Sequence, residues 1–559
     1  MKTTIFYADA HAGSGKTHSA HNYIKKLDGQ ATIATQTNLL SDQQCKDLAK
    51  IGVKARVISG RTVSDFCTKQ YVRHCADERD SVAIINQNLV KQLLEAATYR
   101  HLFVDEIFSP VEKCELVEEI SASWEFISNL VSNAVETEFD GVLEILSTDN
   151  IKEIAEFGSS RKSSMTALPH VREFCQWVDS EYRRVFVLAD AHKNFQSNIQ
   201  PKVGDKYAIR KKRKNRKLTL YAWLQPSVFG LLEHPPTLMG ANFPATKLFL
   251  YWNSMVNFVP HPEIKGVRYD DFAHKSPHVD IRPCSETHLS GRFLHEKVGY
   301  DNFCDSVADA YLAEYGDVPH LATLNANQDF NWKLKNGTEL PANPMGLNDF
   351  MDRYHAIHLA TLYPSNEDCA MWKAVAGVTK EQLVIAQAYE MMYQFLTRSA
   401  IRDGADGSEE PLVFIVLDRQ AADYLCEVFG VAKSGKLFNV PALTNYTKPK
   451  RKTRSDKKPL SVDERKERAK IQKRESRARI AAQRERTCAA SAQPPNPHSD
   501  VLYPDTRKQE MDDYPECEQD SEYRRFITGP DGRTKSMLEL YHEALGGQML
   551  PQQVAKPLP

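Results

Sequence analysis

The feature that most constrains the fold is the segment Ala10–Thr17, which reads AHAGSGKT. The apolar run TIFYADA leads into it, and a stretch with helical periodicity follows. Gly13 and Gly15 allow the backbone to take positive φ angles, so consecutive N–H groups can point inward at an anion. A helix that begins directly after such a loop adds the positive end of its dipole. The segment therefore predicts a strand–loop–helix unit that binds phosphate in a parallel α/β sheet.

The residue types within this loop indicate a nucleotide with its metal ion. Lys16 supplies a mobile charge for the β and γ phosphates, and the Thr17 hydroxyl can bind Mg²⁺. Backbone N–H groups that cradle the phosphates are expected from the rest of the loop, namely Ala12, Gly13, Ser14 and Gly15. We predict ATP and Mg²⁺ as the ligands. The alternative is a glycine-rich turn that fits the pattern by chance.

A second apolar strand candidate, HLFVDE, ends in an acidic pair, Asp105 and Glu106. At the carboxyl edge of the sheet, one strand away from the loop, Asp105 can hold Mg²⁺ through a water. Glu106 can then orient and deprotonate the attacking water. Taken alone, a VDE tripeptide is also a common start of a helix or loop. Its position after a phosphate loop favours the catalytic interpretation.

Short apolar runs alternate with helical segments, which predicts parallel sheets with helices on both faces. The strand candidates are TIFYADA, ATIAT, ARVIS, HLFVDE and TLMGA in one block, and HLATLNA, HAIHLATLYP and PLVFIVLD in another. Within the first block, after HLFVDE, Val117, Ile120, Trp124, Ile127 and Val131 recur at helical spacing and indicate a helical insertion or lid. The predicted fold class is therefore α/β, with two P-loop-type domains and a helical insertion in the first.

The domain plan follows these composition shifts. We expect a first domain at 1–265 with a helical and basic insertion at about 111–217, and a second domain at 266–445. A basic low-complexity linker at 446–500 and a tail at 501–559 with a short helix at Lys535–Ala544 would complete the chain. Lys448–Arg486 carries 17 Lys and Arg against 6 acids, which predicts disorder or a lone solvated helix.

Overall composition excludes few functions. Apolar residues make up 42% of the 559 residues, and the net charge of −1 averages acidic and basic stretches, so nucleic acid remains a candidate partner. Eleven cysteines without a C-x-x-C pair argue against a zinc site and a disulfide framework. The sequence shows no signal peptide and no apolar run of the roughly 18–20 residues that span a bilayer. We expect a cytoplasmic protein with no membrane partner.

The order of several segments resembles the superfamily 2 helicases, the DEAD/DEAH-like group with two RecA-like domains. TQTNLLSDQQ, at Thr35–Gln44, is similar to motif Ia, which in that family touches the nucleic-acid backbone. The resemblance implies that Thr37 makes this contact. LMGANFPATKLF, at Leu238–Phe249, stands where motif III belongs, the segment that couples hydrolysis to strand contact. Here Gly-Ala-Asn replaces the usual Ser-Ala-Thr.

Two segments of the second block continue the resemblance. Met345–Asn348 (MGLN) is similar to motif V, which implies nucleotide contacts by Gly346 and Asn348. QFLTRSAIR, beginning at Gln394, resembles motif VI, Q-x-x-G-R-x-x-R, with Thr in place of Gly and the last Arg one residue farther along. The resemblance implies a catalytic role for Gln394, and it implies that Arg398 and Arg402 reach the γ-phosphate across the cleft, where their guanidinium groups stabilise the developing charge. On its residues alone, this segment also fits a solvated amphipathic helix.

The resemblance covers about 1–110 and 235–420 and implies an ATP-hydrolysing helicase or translocase. The acidic motif reads DEIF rather than DEAD or DEAH, which indicates a divergent helicase of phage or mobile-element type, or a relative that hydrolyses ATP without unwinding. A terminase-like packaging ATPase would need a metal-binding set of acids at strand ends in the second unit, for which Asp352, Asp368 and Asp418 are the available residues. A nucleotide-regulated nucleic-acid-binding protein is the other alternative.

Two basic stretches indicate partners. RKKRKNRK, which includes Arg210, Lys211, Lys212 and Arg213, fits a phosphate-backbone contact or a solvated loop equally well. The basic stretch after 448 fits nonspecific nucleic-acid binding, with a protein partner as the alternative. Trp223 and Phe229 could stack on bases, although buried packing fits them better. We expect nucleic acid as the partner, DNA before RNA, together with replication or mobile-element proteins.

Overall fold

The chain is described by a computed structural model over residues 2–27, 30–60, 67–77, 81–93, 98–118, 121–157, 169–197, 216–325, 332–344, 350–403 and 409–444. These residues all belong to one compact unit, Met1–Lys448. Among them, no helix is both long enough and apolar enough to cross a bilayer. Several predicted features lie outside the described residues: the basic run Arg210–Arg213, the pair Gly346 and Asn348, and everything predicted after 444.

The chain begins with strands and helices in alternation, as its hydrophobic pattern predicts. The central strands are buried apolar runs, as expected for a parallel sheet covered on both faces. The elements are β1 (Thr4–Asp9), α1 (Lys16–Ile24), β2 (Ala31–Thr35), α2 (Asn38–Lys50), β3 (Ala55–Ile58), α3 (Cys67–Asp77), β4 (Val82–Asn86), α4 (Gln87–Leu93) and β5 (His101–Asp105).

An inserted subdomain follows β5. Its elements are β6 (Val111–Val117), α5 (Trp124–Leu130), β7 (Ala134–Glu136), β8 (Val142–Ile145), α6 (Asp149–Phe157), α7 (Pro169–Val178), β9 (Arg183–Leu188), α8 (Ala189–Gln196) and β10 (Lys217–Leu224). The strands form an antiparallel sheet in the order β6-β10-β9-β8-β7. The insertion therefore carries helices, as predicted, but they pack on a sheet that the helical spacing did not indicate.

The prediction of helix at the start of this insertion was wrong. Residues 111–117 form β6, which pairs with β10 along its whole length. Cys114 and Leu116 are buried, whereas Glu115 between them is exposed. This alternation is the period of a strand with one solvated face, and it is already visible in the sequence VEKCELV.

The chain then returns to the first sheet through β11 (Thr237–Gly240), α9 (Lys247–Trp252) and β12 (Asn257–Pro260). The resulting seven-stranded sheet has the order β12-β1-β11-β5-β2-β4-β3. All of its strand pairs are parallel. Because β11 alone separates β1 from β5, the phosphate loop and the acidic pair end up one strand apart at the same carboxyl edge.

A second lobe is built on β13 (Val279–Pro283), α10 (Gly291–Phe293), α11 (Tyr300–Tyr315), β14 (His320–Thr323), β15 (Gly337–Glu339), β16 (His355–His358), α12 (Asn366–Ala376), α13 (Lys380–Val384), α14 (Glu390–Leu396), β17 (Leu412–Val416), α15 (Arg419–Phe429) and α16 (Pro441–Thr444). Its five strands pair in parallel in the order β13-β17-β16-β14-β15. The predicted α/β fold class, with two parallel sheets, is confirmed.

Helix α12 of the second lobe packs directly on the inserted sheet. The Tyr221 hydroxyl of β10 donates to Asp368 Oδ1 at 2.9 Å, and Lys113 Nζ of β6 lies 3.2 Å from the same carboxylate. The rings of Trp223 and Trp372 lie 4.9 Å apart. Trp223 is thus part of a buried contact between the insertion and the second lobe, as its packing interpretation predicted.

Candidate nucleotide-binding cleft

The carboxyl edges of the two parallel sheets face a common cleft of about 1130 Å³. Most of the predicted site residues that the structure describes line this cleft: Ala12, Gly13, Gly15, Lys16, Thr17, Asp105, Glu106, Gln394, Arg398 and Arg402. The sequence therefore identified side chains from distant segments that the fold brings into one space. Ser14 lies in the same loop but is fully buried.

The phosphate loop between β1 and α1 has the backbone that its glycines predict. Gly13 and Gly15 have φ angles of 83° and 94°, a region that disfavours a side chain. A Cβ atom at Gly13 would also lie 2.6 Å from both Arg402 Cγ and the Tyr269 hydroxyl oxygen. Only glycine fits here, because the second lobe and the segment that leads to it approach the loop so closely.

The side chain of Lys16 turns back into the loop that precedes it. Its ammonium donates to the carbonyl oxygens of Ala10 and His11, the latter at 2.9 Å. Burial, opposed by Asp105 and reinforced by Arg402, lowers the pKa of Lys16 to about 8. An anion in the loop would relieve this desolvation by providing the charge partner that the buried ammonium favours.

Thr17 and Asp105 form the candidate metal site. Thr17 Oγ1 donates to Asp105 Oδ1 at 3.5 Å, and the amide of Gln44 donates to Asp105 Oδ2. Burial raises the pKa of Asp105, although Lys16 counteracts this effect. A hydroxyl and a carboxylate side by side match the oxygen ligands that Mg²⁺ takes in proteins. The pair fits the predicted ion, and Gln44 orients the carboxylate from the other side.

Glu106 sits on a strained turn directly after β5. Its φ angle of 69° is rare for a residue with a side chain and costs about 1–3 kcal/mol in general. The Gln87 side-chain amide stabilises the turn by donating to the carbonyl oxygens of Asp105 and Glu106 at 2.8 and 2.7 Å. Burial raises the pKa of Glu106 to about 7. Its Oε2 atom is buried and has no hydrogen-bond partner among the residues that the structure describes.

Arg398 enters this site from the second lobe, just after the end of α14. Its side chain is only 4% exposed, and its Nη2 atom lies 3.4 Å from Glu106 Oε1. Arg402 follows on a short 3₁₀ turn, where burial and the neighbouring Arg398 lower its pKa to about 10. The alternative of a solvated amphipathic helix is therefore wrong for this segment, because its arginines face the cleft rather than solvent.

Sequence reasoning missed two tyrosines that join the phosphate loop to the rest of the cleft. The Ala12 N–H donates to the Tyr393 hydroxyl at 3.0 Å, and the Tyr269 hydroxyl donates to the Ala12 carbonyl at 2.7 Å. Tyr393 is on α14, one residue before Gln394. A tyrosine beside a motif is a common core residue, so its sequence position carried no distinct signal.

The segment predicted as motif III also contacts the second lobe. Asn242 lies just after β11 with a φ angle of 49°, and its side-chain amide donates to Glu390 Oε1 at 2.9 Å. Lys247 Nζ donates to Gln387 Oε1 at 2.8 Å. Because Glu390 begins α14, these contacts connect the first sheet to the helix that precedes Arg398.

The structure gives Thr37 a local role in addition to the predicted one. It is the N-cap of α2, and its hydroxyl accepts a hydrogen bond from the Leu40 N–H at 3.2 Å. Thr37 follows β2 at the carboxyl edge of the first sheet, so contact with a nucleic-acid backbone stays a prediction. Phe229 is buried, in agreement with packing rather than base stacking.

Comparisons with known proteins find a likeness in fold only. No family model and no curated protein matches the chain. Among solved structures, it is similar to S. tokodaii Xpd4, with 12% identity, a TM-score of 0.42, and coverage of 78% of this chain and 96% of that chain. It is also similar to apo XPD, with 12% identity, a TM-score of 0.44 and coverage of 78% and 97%.

A third similar structure is S. cerevisiae Dbp5 bound to RNA and ADP BeF3, with 8% identity, a TM-score of 0.32 and coverage of 78% and 85%. Likenesses with TM-scores of 0.32–0.44 carry no conclusion about activity. The function must therefore be argued from the residues of the cleft.

Proposed function

We propose that this protein is an ATP-hydrolysing motor that acts on nucleic acid, as a helicase or translocase. The observation that carries the proposal is the contact of Arg398 with Glu106 at 3.4 Å. One lobe supplies the phosphate loop and the acidic pair, and the other supplies a buried guanidinium at the same point. A cleft of this kind is complete only when both lobes face the same phosphate chain.

Lys16 and the backbone of the loop would hold the β and γ phosphates of ATP, and Thr17 with Asp105 would hold Mg²⁺. The donor set supports this assignment, because Thr17 Oγ1 and Asp105 Oδ1 lie 3.5 Å apart at the end of the loop. When bound, Mg²⁺ would neutralise charge on the phosphate oxygens. Gln44 would keep the Asp105 carboxylate oriented toward that position through its hydrogen bond to Oδ2.

Glu106 would act as the general base, taking a proton from the attacking water at its carboxylate. Its pKa of about 7 suits a group that must accept and release a proton near neutral pH. The buried Oε2 atom, which has no partner in the described part of the chain, is the candidate acceptor. Arg398, already beside Oε1, would stabilise the charge that develops on the transferred phosphate.

Nucleic acid would lie across the carboxyl edges of the two sheets, with DNA favoured over RNA. Both edges open toward the same cleft, which supports a strand that contacts both lobes at once. The contacts of Asn242 with Glu390 and of Lys247 with Gln387 provide a path by which strand binding could change the position of α14. ATP turnover would then depend on the bound nucleic-acid strand.

The surroundings of Asp418, a candidate metal ligand two residues after β17, argue against the packaging-ATPase alternative. Its carboxylate accepts hydrogen bonds from the Tyr363 hydroxyl, the His288 ring and the Leu289 and Ala421 N–H groups. Both carboxylate oxygens are therefore already hydrogen-bonded, and they cap α15 and hold the neighbouring loops. A nuclease metal would have to displace these partners.

The proposal is tested by measuring ATP turnover of the full chain alone and with single-stranded DNA, duplex DNA and RNA, together with strand displacement. A motor should be stimulated at least about tenfold by its preferred strand, whereas a binding switch should turn over slowly with every strand. Lys16→Ala serves as the inactive control for contaminating ATPases. Turnover that no nucleic acid changes would contradict the proposal.

A further inference from the structure

We infer that the segment 263–269, here called the strap, forms the part of the site that binds the nucleotide base, with the base held against Val267 and Arg268. The inference rests on the proposed nucleotide-binding function and goes beyond it, because the predicted motifs cover only the phosphates. It identifies two residues that would determine how tightly a complete nucleotide binds compared with its phosphates alone.

The strap is attached to the phosphate loop and α1 by a series of hydrogen bonds. The N–H groups of Val267 and Arg268 both donate to the Ser14 carbonyl oxygen at 2.8 Å. The Ser19 hydroxyl accepts from the Lys265 N–H and donates to the Glu263 carbonyl, each at 3.3 Å. These contacts fix the strap along the first turn of α1, so it is a built part of the nucleotide site.

The strap meets the loop at Gly15, where the helix begins. A Cβ atom at Gly15 would lie 2.7 Å from Val267 Cγ2 and 3.4 Å from Arg268 Cγ. Both side chains therefore start beside the loop, and Arg268 lines the same cleft as Lys16. Val267 is 53% exposed, so its methyl groups are accessible to a ligand.

The position of these side chains suits a base better than a phosphate. Asp105, Glu106 and Arg398 define where the terminal phosphate would lie. The rest of the nucleotide must then extend past Gly15 and the start of α1. His18, which is exposed in the first turn of α1, lines the cleft on this route. A base that leaves the loop in this direction meets the strap.

Val267 and Arg268 offer complementary surfaces for an aromatic ring. The methyl groups of Val267 provide an apolar face, and a guanidinium can lie over the π-system of a base and attract it electrostatically. Stacking of this kind tolerates every base because each one has a π-face. We therefore expect a preference for the larger purine rings and little discrimination between adenine and guanine.

The inference is tested by calorimetric titration of the full chain with Mg²⁺ and either ADP or inorganic tripolyphosphate. In Arg268→Ala, ADP should bind about five- to twentyfold more weakly, whereas tripolyphosphate should bind within about twofold of the wild type. Lys46→Ala is the matched control, because it truncates an exposed lysine of α2 that is not among the residues lining the cleft. This control should change neither titration.

Two results would overturn the inference. An equal loss for ADP and tripolyphosphate would make Arg268 a phosphate ligand, and no loss for either would remove the strap from the site. In both cases the wild type still binds ADP, so the proposed nucleotide function survives. A wild-type chain that binds neither ligand would overturn the proposed function and the inference together.

Discussion

The two faces of the cleft are built in different ways. On the first-lobe face, Lys16 and Thr17 begin α1 directly after the phosphate loop, and Asp105 and Glu106 stand at the end of β5, so a few neighbouring residues fix all four positions. On the second-lobe face, Arg398 follows α14, and its position depends on how that helix packs against the first sheet. Asn242, Lys247 and Tyr393 are among the contacts that set this packing.

This difference suggests that the first-lobe face can bind the nucleotide by itself, whereas hydrolysis also needs the second-lobe face. A site fixed by local backbone geometry can hold a nucleotide whatever the second lobe does. A guanidinium fixed by contacts between lobes is aligned only when those contacts form, so it can make hydrolysis depend on conformation. Changes on the first face should therefore impair binding or chemistry directly, and changes on the second face should impair chemistry alone.

Lys16→Ala should have the broadest effect, because it impairs both ATP binding and hydrolysis. It removes the ammonium from the loop, so turnover should fall by at least about a hundredfold and ATP affinity by about tenfold. Steady-state turnover and equilibrium binding measure the two losses. Lys46→Ala, an exposed lysine on α2, is the matched control and should leave both values unchanged. Normal turnover in Lys16→Ala would remove the phosphate-loop assignment.

Glu106→Gln should slow ATP hydrolysis strongly and leave ATP binding intact. Turnover should fall by about 10²- to 10⁴-fold because the base is lost, with ATP affinity nearly unchanged. The base must be a carboxylate, and its pKa is raised to about 7, so wild-type turnover should be low under acid conditions and rise through neutral pH. A pH profile of turnover that stays flat between about pH 6 and 8 would contradict this role.

Asn242→Ala tests the link between the faces and should have an intermediate effect. It removes the hydrogen bond to Glu390, worth about 1 kcal/mol in general, so strand-stimulated turnover should fall about fivefold. ATP affinity should not change, because Asn242 lies outside the phosphate loop. Equal losses of turnover and ATP affinity would argue that this contact shapes the loop itself rather than the position of α14.

Tyr221→Phe should have the smallest effect on activity. It removes the hydrogen bond to Asp368 between the insertion and α12, which should lower the melting temperature by about 2–4 °C. Turnover should stay within about twofold of the wild type because the contact lies outside the cleft. A large loss of turnover would show that the insertion positions the second lobe for catalysis.

The first-lobe face could be predicted from sequence because the residues that identify it lie close together along the chain. Gly13, Gly15 and Lys16 fall within one loop, and the acids end one apolar strand. The short apolar run Val82–Ile85 is bounded by Asp80-Ser81 and by Asn86, so β4 could also be predicted from the sequence. Tyr393 could not be predicted as a partner of Ala12, since 381 residues separate the two in the chain.

The inserted subdomain was harder to predict for a different physical reason. Its helices are amphipathic and dominate the spacing of apolar residues, whereas β8, β9, β10 and β6 pair with strands that lie far away in sequence. The edge strand β6 pairs with β10, about a hundred residues later, so no local turn signal joins them. Pairing at this distance is decided by packing, which a periodicity search does not detect.

The central claim is that two lobes act on one nucleotide, with the second lobe contributing to hydrolysis rather than to binding. The most direct test compares ATP affinity and single-turnover hydrolysis for Arg398→Ala and the wild type. Hydrolysis should fall by about a thousandfold while affinity stays within about threefold. If affinity falls and the hydrolysis rate of bound ATP does not, Arg398 is a binding residue and the claim is wrong.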